Sequence, residues 1–127
     1  MGRYINCFVG GEGKIVWKYG FGVQKSEMHR IYDELGIGEY KLVKDVDYQE
    51  NNLEKITNRI YEYTDDWREA DCDVLILTRS DIVKLDEKLA ILEAESNDRW
   101  YIGMIQAIRD FMIKHPNLEE FVFEGEW

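Results

Sequence analysis

The chain predicts an α/β or α+β fold: a single-domain mixed β-sheet over residues 1–127, opened by an N-terminal β-hairpin and covered by three or four helices. Three observations carry that expectation. The 127 residues make one domain of ordinary size, long enough to bury roughly two-thirds of the unfolded surface without a metal or a disulfide. Hydrophobic residues are 45% and charged residues 33% of the chain, a globular composition rather than a disordered or fibrous one. Strand-like and helix-like patterns alternate, in the order β-β-α-β-α-β-α-α-β, as expected of a sheet with helices packed on it.

The elements follow in order. Arg3–Val9 and Lys14–Val23 are rich in aromatic and β-branched residues and flank Gly10-Gly11-Glu12-Gly13, which reads as a hairpin with a glycine loop. Ser26 is placed to cap a helix whose apolar face is Met28, Ile31, Tyr32 and Leu35, with Gly36 just past its end. Tyr40–Val46 is a short strand. Asn52 caps a second helix, with Leu53, Ile56, Ile60, Tyr63 and Trp67 on one stripe and acidic residues opposite. Asp73–Thr78 is an apolar run expected to be a central strand buried on both faces. Leu85, Leu89 and Leu92 line a third helix. Trp100, Met104, Ala107, Ile108 and Phe111 line a fourth, its apolar face widened by Ile105 and Met112. Ser96-Asn97-Asp98 offers a cap or a turn between the two, unless they form one long helix. Pro116 stops the last helix after His115, and Phe121-Val122-Phe123 is a final strand at an edge.

Charge is the strongest bias. The net charge is −10, and it is uneven. Residues 1–44 carry seven Lys/Arg against five Asp/Glu, whereas residues 45–127 carry nine against 21. Between Asp45 and Asp73 ten acidic residues face only Lys55, Arg59 and Arg68. Such a field repels phosphate backbones and anionic lipid, so direct nucleic-acid binding is disfavoured and a basic protein partner is favoured. No apolar run approaches the roughly 20 residues that span a bilayer, and the N-terminus lacks a signal-peptide core. Two distant cysteines, Cys7 and Cys72, suit neither a zinc site nor a disulfide scaffold, which points to a reduced, cytoplasmic chain.

The motifs are sparse. Gly10–Lys14 lacks a P-loop's spacing, since Phe8 stands at the required glycine and Ile15 at the required Ser/Thr. Asp45-Val46-Asp47 begins like a calcium loop but continues with Gln49, Glu50 and Ile56 where an oxygen ligand, glycine and glutamate belong. Neither a metal nor another cofactor is therefore expected. His115 ends a helix, where it suits the free carbonyls. His29 lies in a first helical turn, which favours its neutral form. Of the tryptophans, Trp127 either folds back on the core or awaits a partner.

The stretch Trp17-Lys18-Tyr19-Gly20-Phe21-Gly22-Val23-Gln24-Lys25-Ser26 resembles that of small bacterial and phage proteins in which an aromatic strand runs into a Phe-Gly-x-Gln-x-Ser turn before a helix. The resemblance implies a bacterial, archaeal or phage source. It carries no activity and no functional residues.

Two functional expectations follow. The first is a non-enzymatic binding or regulatory protein, such as an immunity protein or a phage inhibitor, which presents an acidic face made of Asp65, Asp66, Glu69, Asp71 and Asp73, with Trp67 as anchor, to a basic protein. The second is a small-ligand protein or small enzyme whose site gathers where strands run into helices. There Gln24, Ser26, Arg79 and Ser80 would bind an anion or hydroxyls, and His29, Asp45 and Asp81 would be the acid–base candidates. A homo-oligomer through the apolar face of the last helix is a third possibility.

Overall fold

The computed structural model describes residues 4–10, 16–24, 26–51 and 56–125. The fold is mixed α+β. The chain runs β1 (Tyr4–Gly10), β2 (Val16–Gln24), α1 (His29–Asp33), β3 (Glu39–Asn51), β4 (Ile56–Thr64), β5 (Cys72–Thr78), α2 (Asp81–Glu95), α3 (Arg99–Lys114) and β6 (Glu120–Gly125). The six strands are ordered β1-β2-β4-β3-β5-β6 and close into a barrel through β6 and β1. Every described pair is antiparallel. The expected hairpin is β1–β2, with Tyr4 opposite Gln24 and Gly10 opposite Val16. The rest of its predicted glycine loop, residues 11–13, lies outside the described residues, as do Asn52, Leu53 and Trp127.

Three expectations about the strands are corrected. The segment expected to be a second helix supplies strand β4 and a turn instead. Its stripe has helical spacing, but six of the nine residues of β4 are β-branched or aromatic, which favours a pleated strand. Buried Tyr61, exposed Glu62 and half-buried Tyr63 then alternate with period two. With β4 in place of that helix, β3 and β4 pair antiparallel, and the two helices between β5 and β6 return the chain so that this pair is antiparallel as well. The final strand is no edge: β6 lies between β5 and β1 and joins the two ends of the chain. β3 also runs longer than expected and shifts register between Asp45 and Asp47, a bulge that bends the strand.

The sheet has two apolar faces, and β5 serves both. Leu75 and Leu77 join Ile5, Cys7, Phe121 and Phe123 beneath the helices, whereas Cys72 and Val74 join Val43, Tyr61 and Val122 on the opposite face. β5 is therefore buried on both sides, as its composition predicts. The ring pair Phe121–Phe123 stacks at 6.2 Å, and Phe111 meets each edge-on at 6.0 and 6.2 Å, an arrangement aromatic quadrupoles favour. Cys7 and Cys72 are buried in separate clusters and form no disulfide with each other. Burial pushes the Cys7 thiol far above its usual range, so it stays protonated and inert.

The helices close this core. Residues 81–114 form two helices, not one. Asp98 caps α3, its carboxylate accepting the Tyr101 N–H at 3.1 Å. Leu85 and Leu89 of α2 and Tyr101, Met104, Ile105, Ile108 and Phe111 of α3 are buried. Trp100 is not: it is 69% exposed, because its place on α3 is one step off the buried Tyr101–Met104–Ile105–Ile108 stripe. α1 starts without the expected cap. Ser26 accepts the Met28 N–H at 2.8 Å through its backbone carbonyl, and Met28 stands at the N-cap with no side-chain bond. Its end follows expectation: Gly36 has φ of +67°, and Gly36 N–H to Tyr32 O (3.1 Å) with Ile37 N–H to Ile31 O (3.2 Å) closes the helix. His115 terminates α3 with Nδ1 2.9 Å from the Phe111 carbonyl. No helix among the described residues is long and apolar enough to cross a membrane.

Candidate functional site

The anion-site residues do not gather. Arg79 is consumed by the fold: Nε donates to Leu118 O at 2.9 Å, and Nη2 donates to Leu118 O at 2.6 Å, to Met112 O at 3.3 Å and to His115 O. Its guanidinium thus adds donors to the carbonyls at the end of α3 and in the loop beyond. Asp81 is 7% exposed, and its carboxylate accepts the Thr78 N–H at 2.8 Å and the Thr78 hydroxyl at 3.2 Å. Ser80 shares a 2.8 Å hydroxyl bond with Thr78. These three residues lock the turn between β5 and α2. Gln24 ends β2, exposed and opposite Tyr4. The Ser26 N–H points at the Met104 sulfur, 3.4 Å away. His29 is exposed on α1, its ring edge-on to Tyr40 at 6.3 Å. Asp45 lies at the β3 bulge, paired with Tyr61.

The acidic residues are better assembled. Between β4 and β5 the chain makes a tight turn over residues 65–71. Thr64 Oγ1 accepts the Asp66 N–H at 3.1 Å, and Asp66 Oδ1 accepts the Arg68 N–H at 3.0 Å, the self-bonding by which Asp favours turns. The Arg68 guanidinium, 3.1 Å away, holds the Asp66 carboxyl below the usual range. Asp71 N–H then donates to Val43 O at 2.9 Å and returns the chain to the sheet. Held at the tip, Trp67 is 69% exposed, with Asp65, Glu69 and Asp71 exposed around it. Asp73 does not belong to this face. It is 2% exposed and accepts the Tyr40 hydroxyl at 2.5 Å, because strand alternation turns it toward the helix side with Leu75 and Leu77.

A second feature is a half-open cleft of about 440 Å³. Its floor is the sheet face that carries Tyr61, Tyr63, Ile76 and Val122, and its rim is Gly36–Gly38 and the start of α2. Gly38, at φ +77°, is the close approach that lets this rim pass over β5: a Cβ there would lie 2.5 Å from Leu77 Cδ2 and 2.8 Å from Ile76 O. Of the residues expected at a ligand site, the cleft takes Asp81, with Thr78 beside it. Its other polar lining, Glu39, Lys41, Lys84 and Glu120, escaped the sequence reading. The signal was present in the period-two pairs Glu39/Lys41 and Tyr61/Tyr63, but the second pair was assigned to a helix. Among the described residues, no group of three or more His, Cys, Asp or Glu side chains is placed to hold a metal ion.

No protein-family model matches the chain, and neither a curated protein nor a solved structure matches it significantly.

Proposed function

We propose that this chain is a non-enzymatic binding or regulatory protein of the immunity- or inhibitor-protein type, which engages a basic protein partner through the turn between β4 and β5. The observation that carries the reading is Trp67, 69% exposed at the tip of a hydrogen-bonded turn. An exposed, pre-positioned Trp is the residue type most enriched among interface hot spots. The surrounding carboxylates of Asp65, Glu69 and Asp71 would steer a basic surface toward it and exclude acidic competitors. The turn is already braced by Asp66 and Arg68, so little ordering entropy is lost on docking. A cytoplasmic setting fits two buried cysteines that are not joined in a disulfide.

Affinity capture with the wild-type chain, followed by association kinetics on the captured protein, tests this reading. Reversing Asp65, Glu69 and Asp71 to Lys is expected to slow association at least tenfold at low salt and flatten its salt dependence. Trp67→Ala is expected to speed dissociation, with a loss of about 2 kcal/mol or more if Trp67 is the anchor. A partner whose binding survives both variants unchanged overturns the assignment of this surface.

A further inference from the structure

The cleft holds a charge that the fold does not itself offset. Its ionised lining is three carboxylates, Glu39, Asp81 and Glu120, and two ammoniums, Lys41 and Lys84. Both ammoniums have partners of their own. Lys41 is held over the Tyr63 ring, 5.2 Å from its centroid, a cation–π contact. Lys84 lies 3.9 Å from Asp81, whose carboxylate also accepts the Thr78 N–H and hydroxyl. Glu39 and Glu120 remain. Both are exposed, and neither makes a hydrogen bond or an ion pair among the described residues.

Register places these two carboxylates on either side of one short stretch of β5. Glu39 on β3 pairs with Ile76, Ile76 pairs with Val122 on β6, and Thr78 pairs with Glu120. Paired residues share a face of the sheet, and so do residues two apart along a strand. Ile76 and Val122 therefore form the floor between Glu39 and Glu120, and all four line the cleft. Neither lysine belongs to this middle. Lys41 is drawn toward β4, on the far side of β3 from β5, and Lys84 stands on α2, beyond the end of β5.

Two unpaired carboxylates flanking an apolar floor select for one kind of cation. A metal ion does not suit them: no group of three or more His, Cys, Asp or Glu is placed to hold one among the described residues, and hard cations take oxygen neighbours rather than aliphatic ones. An ammonium is a compact, strongly hydrated point charge that loses water when set on Ile76 and Val122. A guanidinium is planar and weakly hydrated. Its face accepts apolar contact, and its edges donate to two carboxylates at once. The cleft's volume, about 440 Å³, holds such a group together with its alkyl chain.

We propose that the middle of this cleft binds an alkylguanidinium group, with the plane of the cation on Ile76 and Val122 and its N–H edges on Glu39 and Glu120. Arginine in a polypeptide offers that group, and so does a small free guanidine. The site is distinct from the Trp67 turn, which precedes Cys72 at the opposite end of β5.

The test is a heteronuclear NMR titration of the full chain with n-butylguanidinium, n-butylammonium and n-butylurea, the last a neutral molecule of nearly the same shape as the first. n-Butylguanidinium is expected to shift the amides of Glu39, Ile76, Thr78 and Val122 saturably. It should bind about tenfold or more tighter than n-butylurea, and also tighter than n-butylammonium. Glu39→Gln and Glu120→Gln should each weaken it. Lys41→Met, which removes a cation and leaves both carboxylates, should leave it unchanged or tighten it. All three substitutions are at exposed positions, and retained spectral dispersion shows that the fold survives. Acetyl-Gly-Arg-Gly-amide separates the two sources: binding at least as tight as that of n-butylguanidinium assigns the site to a polypeptide arginine, and weaker binding assigns it to a small guanidine. No saturable shift with n-butylguanidinium, equal or tighter binding by either other probe, shifts confined to residues outside the cleft, an affinity that either glutamine variant leaves unchanged, or a loss of binding in Lys41→Met overturns the proposal. The acidic turn takes no part in this experiment, so its failure leaves the protein-partner reading untouched.

Discussion

The two faces of the sheet use the same strands for opposite purposes. Under the helices, Ile5, Cys7, Leu75, Leu77, Phe121 and Phe123 meet α2 and α3 in a dry, continuous core. On the other face, Val43, Tyr61, Cys72, Val74 and Val122 form a smaller cluster that gives way along the strands to Glu39, Lys41, Thr78 and Glu120 around the cleft. Strand alternation makes this possible: one residue of β5 faces a helix and the next faces the cleft. The difference teaches that stability is concentrated on one face, which leaves the other free to carry charge and an unfilled concavity.

That comparison can be broken or sharpened by substitution. The largest effect is expected on the helix-covered face. Phe123→Ala, which removes a fully buried ring stacked on Phe121 and edge-on to Phe111, should cost about 3–5 kcal/mol, read as a lower urea midpoint at unchanged slope. A cost below about 1 kcal/mol would show that this face is not the dominant core. Arg79→Ala comes next. It strips the donors from the carbonyls of Met112, His115 and Leu118 and should cost about 1.5–3 kcal/mol. Arg79→Lys should rescue it only in part, since one ammonium cannot serve a forked set of acceptors.

The smallest expected effect has the opposite sign. Tyr101 is fully buried, its ring lies under the Arg30 guanidinium at 4.1 Å, and its hydroxyl has no hydrogen-bond partner among the described residues. Tyr101→Phe keeps the ring and removes the unsatisfied hydroxyl, so it should be neutral or stabilising by up to about 1 kcal/mol at pH 7. Burial pushes the Tyr101 phenol up to about 12 from its ordinary 10.0. The folded state therefore binds this proton more tightly than the unfolded state. The resulting stability is complete below pH 10 and is lost as pH rises toward 12. Urea titrations across pH 9–12 should show this loss in the wild type and a reduced loss in Tyr101→Phe. Equal alkaline slopes for the two chains would exclude Tyr101 as the cause.

Local signals were legible wherever one short segment decides its own structure. The β1–β2 pair, the Gly36 helix end, the Asp98 cap, the His115–Pro116 stop and the Leu85/Leu89 face all follow from rules that span a few residues. Ile56–Thr64 shows where this fails. Its apolar residues satisfy a helical period and a strand composition at once, and nothing local chooses between them; pairing with β3 over nine registered residues does. The functional residues divide in the same way. The acidic bias around Trp67 was readable from charge, but the turn that exposes Trp67 was not, because its segment carries a helical period. Arg79 looked like an anion ligand because its real acceptors, the carbonyls of residues 112–118, are distant in sequence. Asp73 looked like a surface charge because its partner, Tyr40, lies on another strand.

By itself, then, the sequence determined the apolar periods, the helix ends and the acidic bias of residues 45–73, since each is a property of neighbours along the chain. Only the tertiary structure decided that the sheet is antiparallel and closed, that Asp73 is buried while Asp65 is not, and that Lys41, Tyr63 and Glu120 share one cleft. The physical reason is that strand pairing joins residues remote in sequence, and a strand's own composition does not name the neighbour it will bond to or the face that neighbour will cover.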